Sequence, residues 1–168
     1  MITTDSFTNN SVASDVLRRL FTAVLQFRSA SLADAVVGAP DQGAYIGSGD
    51  GTVEGNELRG TVSWSLYAGD CLYPLIRAGE SVPDDLHLCT LSPGGFIDTE
   101  DGARIRFDGR GYGLRSPNRY LVSATLTFRT QVTSYDWLTK VLAVMHGEFD
   151  EKDGRAIWNV LIPKPTLR

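Results

Sequence analysis

Residues 119–129 read Arg119-Tyr120-Leu121-Val122-Ser123-Ala124-Thr125-Leu126-Thr127-Phe128-Arg129. Tyr120, Val122, Ala124, Leu126 and Phe128 alternate with Leu121, Ser123, Thr125, Thr127 and Arg129. A strand sends successive side chains to opposite faces, so this stretch is a strand with one apolar and one polar face.

The same period recurs on both sides. Ala103, Ile105 and Phe107 alternate with Arg104, Arg106 and Asp108. Leu58, Gly60, Val62, Trp64 and Leu66 alternate with Arg59, Thr61, Ser63 and Ser65. Leu86–Leu91 and Phe96–Thr99 flank Ser92-Pro93-Gly94-Gly95 and read as a hairpin-like pair. Gly43–Gly47 reads as a short strand before a flexible turn, Gly47-Ser48-Gly49-Asp50-Gly51. A phosphate cradle would need a helix and a lysine after that turn, and a strand follows instead. Asp101-Gly102 marks another turn. Val141–Met145 is apolar on both faces and reads as a central strand, and residues 156–162 close the fold.

Residues 14–28 pose a conflict. Leu17, Leu20, Phe21, Val24 and Leu25 fall at helical spacing behind Ser14, a fitting N-cap. The run from Leu20 to Phe27 equally suits a strand. Pattern alone favours the helix. Elsewhere there are eight or nine strands, no βαβ alternation and no internal repeat. That combination makes an all-β domain, an antiparallel barrel or sandwich.

Composition agrees with one globular domain. The chain has 168 residues, 42% of them hydrophobic and 21% charged. Its net charge of −4 lacks the basic footprint of a nucleic-acid binder. The opening Met1-Ile2-Thr3-Thr4-Asp5-Ser6 has no basic region and no apolar core, so it does not read as a signal peptide. No apolar run is long enough to span a membrane. A cytoplasmic location is the expectation. Two cysteines, Cys71 and Cys89, are too few for a disulfide framework, and Cys89 in an apolar run reads as a buried thiol.

Several short pieces taken in order carry a family resemblance. They are Gly51-Thr52-Val53-Glu54-Gly55, Leu58-Arg59-Gly60-Thr61-Val62 and Thr99-Glu100-Asp101-Gly102-Ala103-Arg104-Ile105. Phe128-Arg129-Thr130 and Tyr135-Asp136-Trp137-Leu138 follow. Over roughly residues 17–162 the chain resembles the family catalogued as domain of unknown function 3237. The resemblance implies a closed antiparallel barrel, lipocalin-like in shape, with residues 19–28 as its first strand and one helical turn around Ser14–Leu17. It also implies self-association as a homo-oligomer. The family's glycine-rich turn with aspartate–tryptophan corresponds to Ser65-Leu66-Tyr67-Ala68-Gly69-Asp70-Cys71, where Asp70 precedes Cys71. The expected organisation is an N-terminal arm (1–16), a barrel domain (17–163) and a tail (164–168).

Candidate chemistry lies in a few polar side chains. His87 shares a strand face with Cys89 and Leu91, and reads as a core or rim histidine or as a lumen-facing acid or base. His146 and Glu148 share another face, close enough to act on one ligand, or lie at a solvated strand end. Arg104, Arg106 and Arg129 form an outer polar face or grip a carboxylate or enolate oxygen. Trp64, Tyr135 and Trp137 wall a core or a ligand. Catalytic candidates are then His87, His146, Glu148 and Arg106. Ligand-binding candidates are Trp64, Tyr67, Asp70, Arg129, Tyr135 and Trp137.

No metal is expected, because no ligand pair sits at a diagnostic spacing. No cofactor is expected, because no dinucleotide fingerprint is present. The leading functional reading is a cofactor-independent enzyme of isomerase, cyclase or lyase type, transferring a proton on an aromatic or polyketide-like compound inside the lumen. A non-catalytic small-molecule carrier is the alternative. A structural domain is the third, and it predicts a barrel filled by its own side chains.

Overall fold

A computed structural model describes residues 16–28, 44–71, 87–116, 119–150 and 152–164. They form eight strands: β1 (Leu17–Phe27), β2 (Ala44–Glu54), β3 (Arg59–Cys71), β4 (His87–Thr99), β5 (Arg104–Ser116), β6 (Arg119–Arg129), β7 (Ala143–Asp150) and β8 (Arg155–Pro163). Each strand pairs with the next in the chain, and β8 returns to β1, closing an antiparallel barrel. Closure leaves no open sheet edge. The all-β barrel expected from the alternating pattern is the observed fold. No helix among the described residues is long and apolar enough to cross a membrane.

β6 shows why the pattern was legible. Tyr120, Val122, Ala124, Leu126 and Phe128 are buried, and the five residues between and after them are exposed. β1 shows why it was not. Its register shifts between Arg19 and Phe21, a bulge that turns both Leu20 and Phe21 inward. Two adjacent buried residues break the period of two and imitate helical spacing. The helix that pattern alone favours over residues 14–28 is corrected to a strand from Leu17, in line with the first strand the resemblance implies over 19–28. Ser14 lies outside the described residues.

Three further readings are corrected. β2 runs unbroken through Gly47-Ser48-Gly49-Asp50-Gly51, which was expected to turn. Gly47 faces inward, and a Cβ there would stand 2.3 Å from the Phe27 ring. Glycine is present to admit a neighbour's ring, not to bend the chain. β4 also runs unbroken through Ser92–Gly95. Its ladder to β5 lacks pairs only at 92–93, where Pro93 has no N–H. Val141–Met145 is not a two-faced central strand, since Ala143 and Met145 are buried while Leu142 and Val144 are exposed.

The interior is packed. Phe27 stacks on Phe149 at 4.1 Å and meets Trp64 edge-on at 4.3 Å, and Trp64 meets Trp158 at 6.0 Å. The void bounded by Phe21, Leu25, Val62, Phe107, Leu126 and Trp158 is about 10 Å3. That is room for one water molecule at most. An eight-stranded barrel is just wide enough for its own side chains, and large inward residues use that width here. Around these residues the described interior is filled by its own side chains.

Candidate functional site

Among the described residues, one open space lies on the outside of β3–β6. A groove of about 780 Å3 crosses these four strands, and the sheet register explains its shape. Outward side chains fall into three rows about 6.5–7 Å apart along the strands. Tyr67 is opposite Ser92, and Arg110 is opposite Thr125. In the middle row, Ser65, Gly94, Asp108 and Thr127 follow one another across the sheet. In the third row Phe96 faces Arg106, which faces Arg129. The outer rows are tall and the middle row is short, so the middle row is the trough.

Gly94 deepens it. A Cβ on Gly94 would meet nothing nearer than 3.6 Å, at the Phe107 carbonyl. The hydroxyls of Thr127 and Thr125 donate to the carbonyls of Asp108 and Arg110, each at 3.3 Å. Both hydroxyls, Thr127 on the floor and Thr125 beside it, are therefore turned down onto the backbone.

The charges sit on the wall and the floor. Arg106 donates through Nε and Nη2 to both oxygens of Asp108, each at 3.0 Å. The neighbouring carboxylate holds the Arg106 guanidinium above its ordinary pKa. Arg110 reaches Ser92 Oγ at 3.4 Å. Arg129 has no hydrogen-bond or ion-pair partner among the described residues and lies directly opposite Arg106. Arg104 stands outside this grip, stacked over Phe96 at 4.6 Å and paired with Asp98 at 3.6 Å.

Of the sequence-derived candidates, the structure brings Arg106, Arg129 and Tyr67 together in this groove. All three face outward, so of the two readings of the arginines the outer polar face is the one observed. His146 and Glu148 do share a strand face, but it is the outer face of β7, on a different part of the wall. They line a shallow depression with Leu121, Ile157 and Asn159. Glu148 is paired there with Arg119 at 3.0 Å. The inward positions of β7 belong to Ala143, Met145 and Phe149, which leaves the lumen no place for these two. Asp70 and His87 lie near the ends of β3 and β4, and their side chains fall outside the described residues. Among the described residues, no three His, Cys, Asp or Glu side chains gather as metal ligands would.

The aromatic candidates are part of the core and its closure. Trp64 is buried, with its indole N–H unpartnered against the edge-on rings of Phe27 and Trp158. Tyr135 and Trp137 lie on a 3-10 helix, Thr133–Lys140, in the β6–β7 connection. Leu138 of that helix is fully buried and plugs this end of the barrel. The Tyr135 hydroxyl donates to Asp101 in the β4–β5 turn at 3.0 Å. Thr99 also donates to Asp101, and it accepts the Ala103 N–H at 2.8 Å. These donors, Thr99 first, hold the Asp101 carboxyl below the ordinary aspartate range. Burial first, then Asp101, pushes the Tyr135 phenol up. The Asp101-Gly102 turn is as expected, with Gly102 at φ +87°. Cys89 is buried, as read from its apolar run, and its thiol donates to the Gly113 carbonyl at 3.4 Å.

Sequence reasoning missed Asp108, Arg110 and Gly94. Arg106-Phe107-Asp108-Gly109-Arg110 alternates, so its charged residues share a face, and that signal was available. Gly94 was hidden by the turn reading of Ser92–Gly95.

No family model and no curated protein sequence matches the chain. Solved structures do. A β-barrel-like protein from Acinetobacter baumannii aligns with a TM-score of 0.62 and 18% identity, over 88% of this chain and 95% of that one. A protein of unknown function from Clostridium acetobutylicum gives the same TM-score and identity, over 88% and 98%. One from Rhodopseudomonas palustris gives 0.60 and 18%, over 88% and 96%. This chain shares their barrel fold.

Proposed function

We propose that the protein is a cofactor-independent enzyme that moves a proton on a small oxygenated, aromatic or polyketide-like compound held in the β3–β6 groove. The observation that carries this reading is a carboxylate, Asp108, on the trough floor between Arg106 and Arg110. Proton transfer next to a carbonyl needs a base and a donor for the oxygen that gains charge. Asp108 takes the proton from carbon, the electron pair moves onto the carbonyl oxygen, and Arg110, on the other side of Asp108, binds that oxygen. Return of the proton elsewhere gives an isomerisation, loss of a β-hydroxyl as water gives a dehydration, and attack of the enolate carbon on a second carbonyl, whose oxygen takes the proton, gives a cyclisation. Arg106 positions Asp108 through both its oxygens.

That double grip also favours the second reading, a carrier, because it engages both oxygens of the carboxylate in the groove. One experiment separates the two. A panel of aryl ketones and β-keto esters is incubated with the protein in D2O, and the α C–H signals are followed by NMR. The enzyme reading expects exchange with wild type and at least a hundredfold loss with Asp108→Asn. Ligand-induced shifts of groove residues without exchange select the carrier. We include in the proposal membership of the domain of unknown function 3237 family. It is supported by the contact that joins two of its signature pieces, Asp101 and Tyr135.

A further inference from the structure

We infer that the ligand of the β3–β6 groove is a flat organic anion ending in a forked oxyanion, a carboxylate or a phosphate. The inference rests on that groove being the working site, and three observations support it.

The first is an uncompensated charge. Arg106 and Arg129 are direct cross-strand partners, and like charges placed opposite one another repel. Asp108 compensates Arg106 with a two-point grip. Nothing among the described residues does the same for Arg129. A guanidinium presents planar, paired donors that match a carboxylate or phosphate. A ligand anion at Arg129 would repeat for it what Asp108 does for Arg106.

The second is the sign of the groove. The chain carries a net charge of −4. The groove gathers three arginines against one aspartate. A local surplus of positive charge on an acidic protein concentrates anions where it lies.

The third is shape. The trough is bare at Gly94, where a side chain would meet only ordinary contacts, while Tyr67 and Phe96 rise on either side. A flat ring lies against backbone there without displacing anything. Strands are about 4.8 Å apart, so Arg129 stands two strands away, roughly 10 Å across the sheet. With the reach of the arginine side chain subtracted, a body of about two fused rings joins the two ends.

The test uses the full chain and three probes of one shape: 2-naphthoate, 2-naphthyl phosphate and the neutral 2-acetylnaphthalene. Binding is read by NMR shifts and calorimetry. At least one acid should bind tenfold or more tightly than the ketone, and the tighter acid identifies the oxyanion. Arg129→Gln should weaken the acid about tenfold and the ketone little. Gly94→Leu should abolish binding of all three while leaving the melting temperature within a few degrees. If Gly94→Leu fails to fold, Arg129→Gln, an exposed position, carries the test. Arg119→Gln, at the opposite end of β6 from Arg129, should change nothing, and a loss equal to that of Arg129→Gln overturns the inference as non-specific charge. Equal binding of ketone and acids, still blocked by Gly94→Leu, overturns the anion and leaves the groove standing. No binding of any probe at millimolar concentration also overturns it, and the D2O exchange experiment then judges the groove separately.

Discussion

The Tyr135 hydroxyl donates to the Asp101 carboxylate, 3.0 and 3.1 Å from its two oxygens, across 34 residues of chain. The contact fastens the β6–β7 connection to the β4–β5 turn. It holds the 3-10 helix in place, and the helix carries Leu138 into the end of the barrel. Two pieces of sequence that look like separate motifs are the two halves of one latch.

The latch makes stability depend on pH. The folded pKa of Asp101 lies below its ordinary value of 3.8. Its contribution is therefore present above that value and lost as pH falls through the folded pKa. The folded pKa of Tyr135 lies above its ordinary value of 10.0, so its contribution is present below that value and lost as pH rises through the folded pKa. Asp101→Asn should lower the melting temperature at pH 7, and the gap to wild type should close below about pH 4. A gap that persists unchanged to pH 2 would refute the latch.

Leu138→Ala should cost about 2–5 kcal/mol, because it empties a fully buried site with little room to collapse. Urea denaturation measures this. Trp137→Ala, at a partly buried position, should cost less. The reverse order would mean that Trp137, and not Leu138, closes the barrel.

Two glycines should behave oppositely. Gly47→Ala forces a methyl against the Phe27 ring and should cost about 1–3 kcal/mol. Gly94→Ala meets only ordinary contacts and should be within about 0.5 kcal/mol of neutral. Paired unfolding curves decide, and equal costs would remove Gly94 as a fold-neutral way to fill the groove.

Trp64→Phe should lower stability by about 1–3 kcal/mol through lost packing. It loses no hydrogen bond, since the indole N–H has no partner among the described residues. Probe binding in the groove should be unchanged. A ligand inside the barrel would instead give a large binding loss with this variant.

His146→Ala and Glu148→Gln should change stability by no more than about 0.5 kcal/mol and leave proton exchange in D2O unaltered. Both lie on the outer wall away from the groove, and the pair of Glu148 with Arg119 is exposed. Loss of exchange with either would move the chemistry to β7.

The sequence by itself determined the class of fold. Strict alternation in 119–129 admits only a strand with one buried face, and its recurrence leaves an antiparallel sheet that must cover its own apolar side. It also determined the Asp101-Gly102 turn, which is local chemistry. The tertiary structure decided the rest. β1 became a strand through a bulge at Arg19–Phe21, which exists only where β8 pairs with it. Gly47 and Gly94 look alike in sequence; one makes room for a ring inside the barrel and the other opens a trough outside it. The sequence left open which way Arg106 and Arg129 face, because alternation separates two faces without naming the inner one. Closure settles it: Ile105, Phe107 and Phe128 are the residues an eight-stranded interior can hold. The arginines between them are therefore turned outward, side by side, onto the wall.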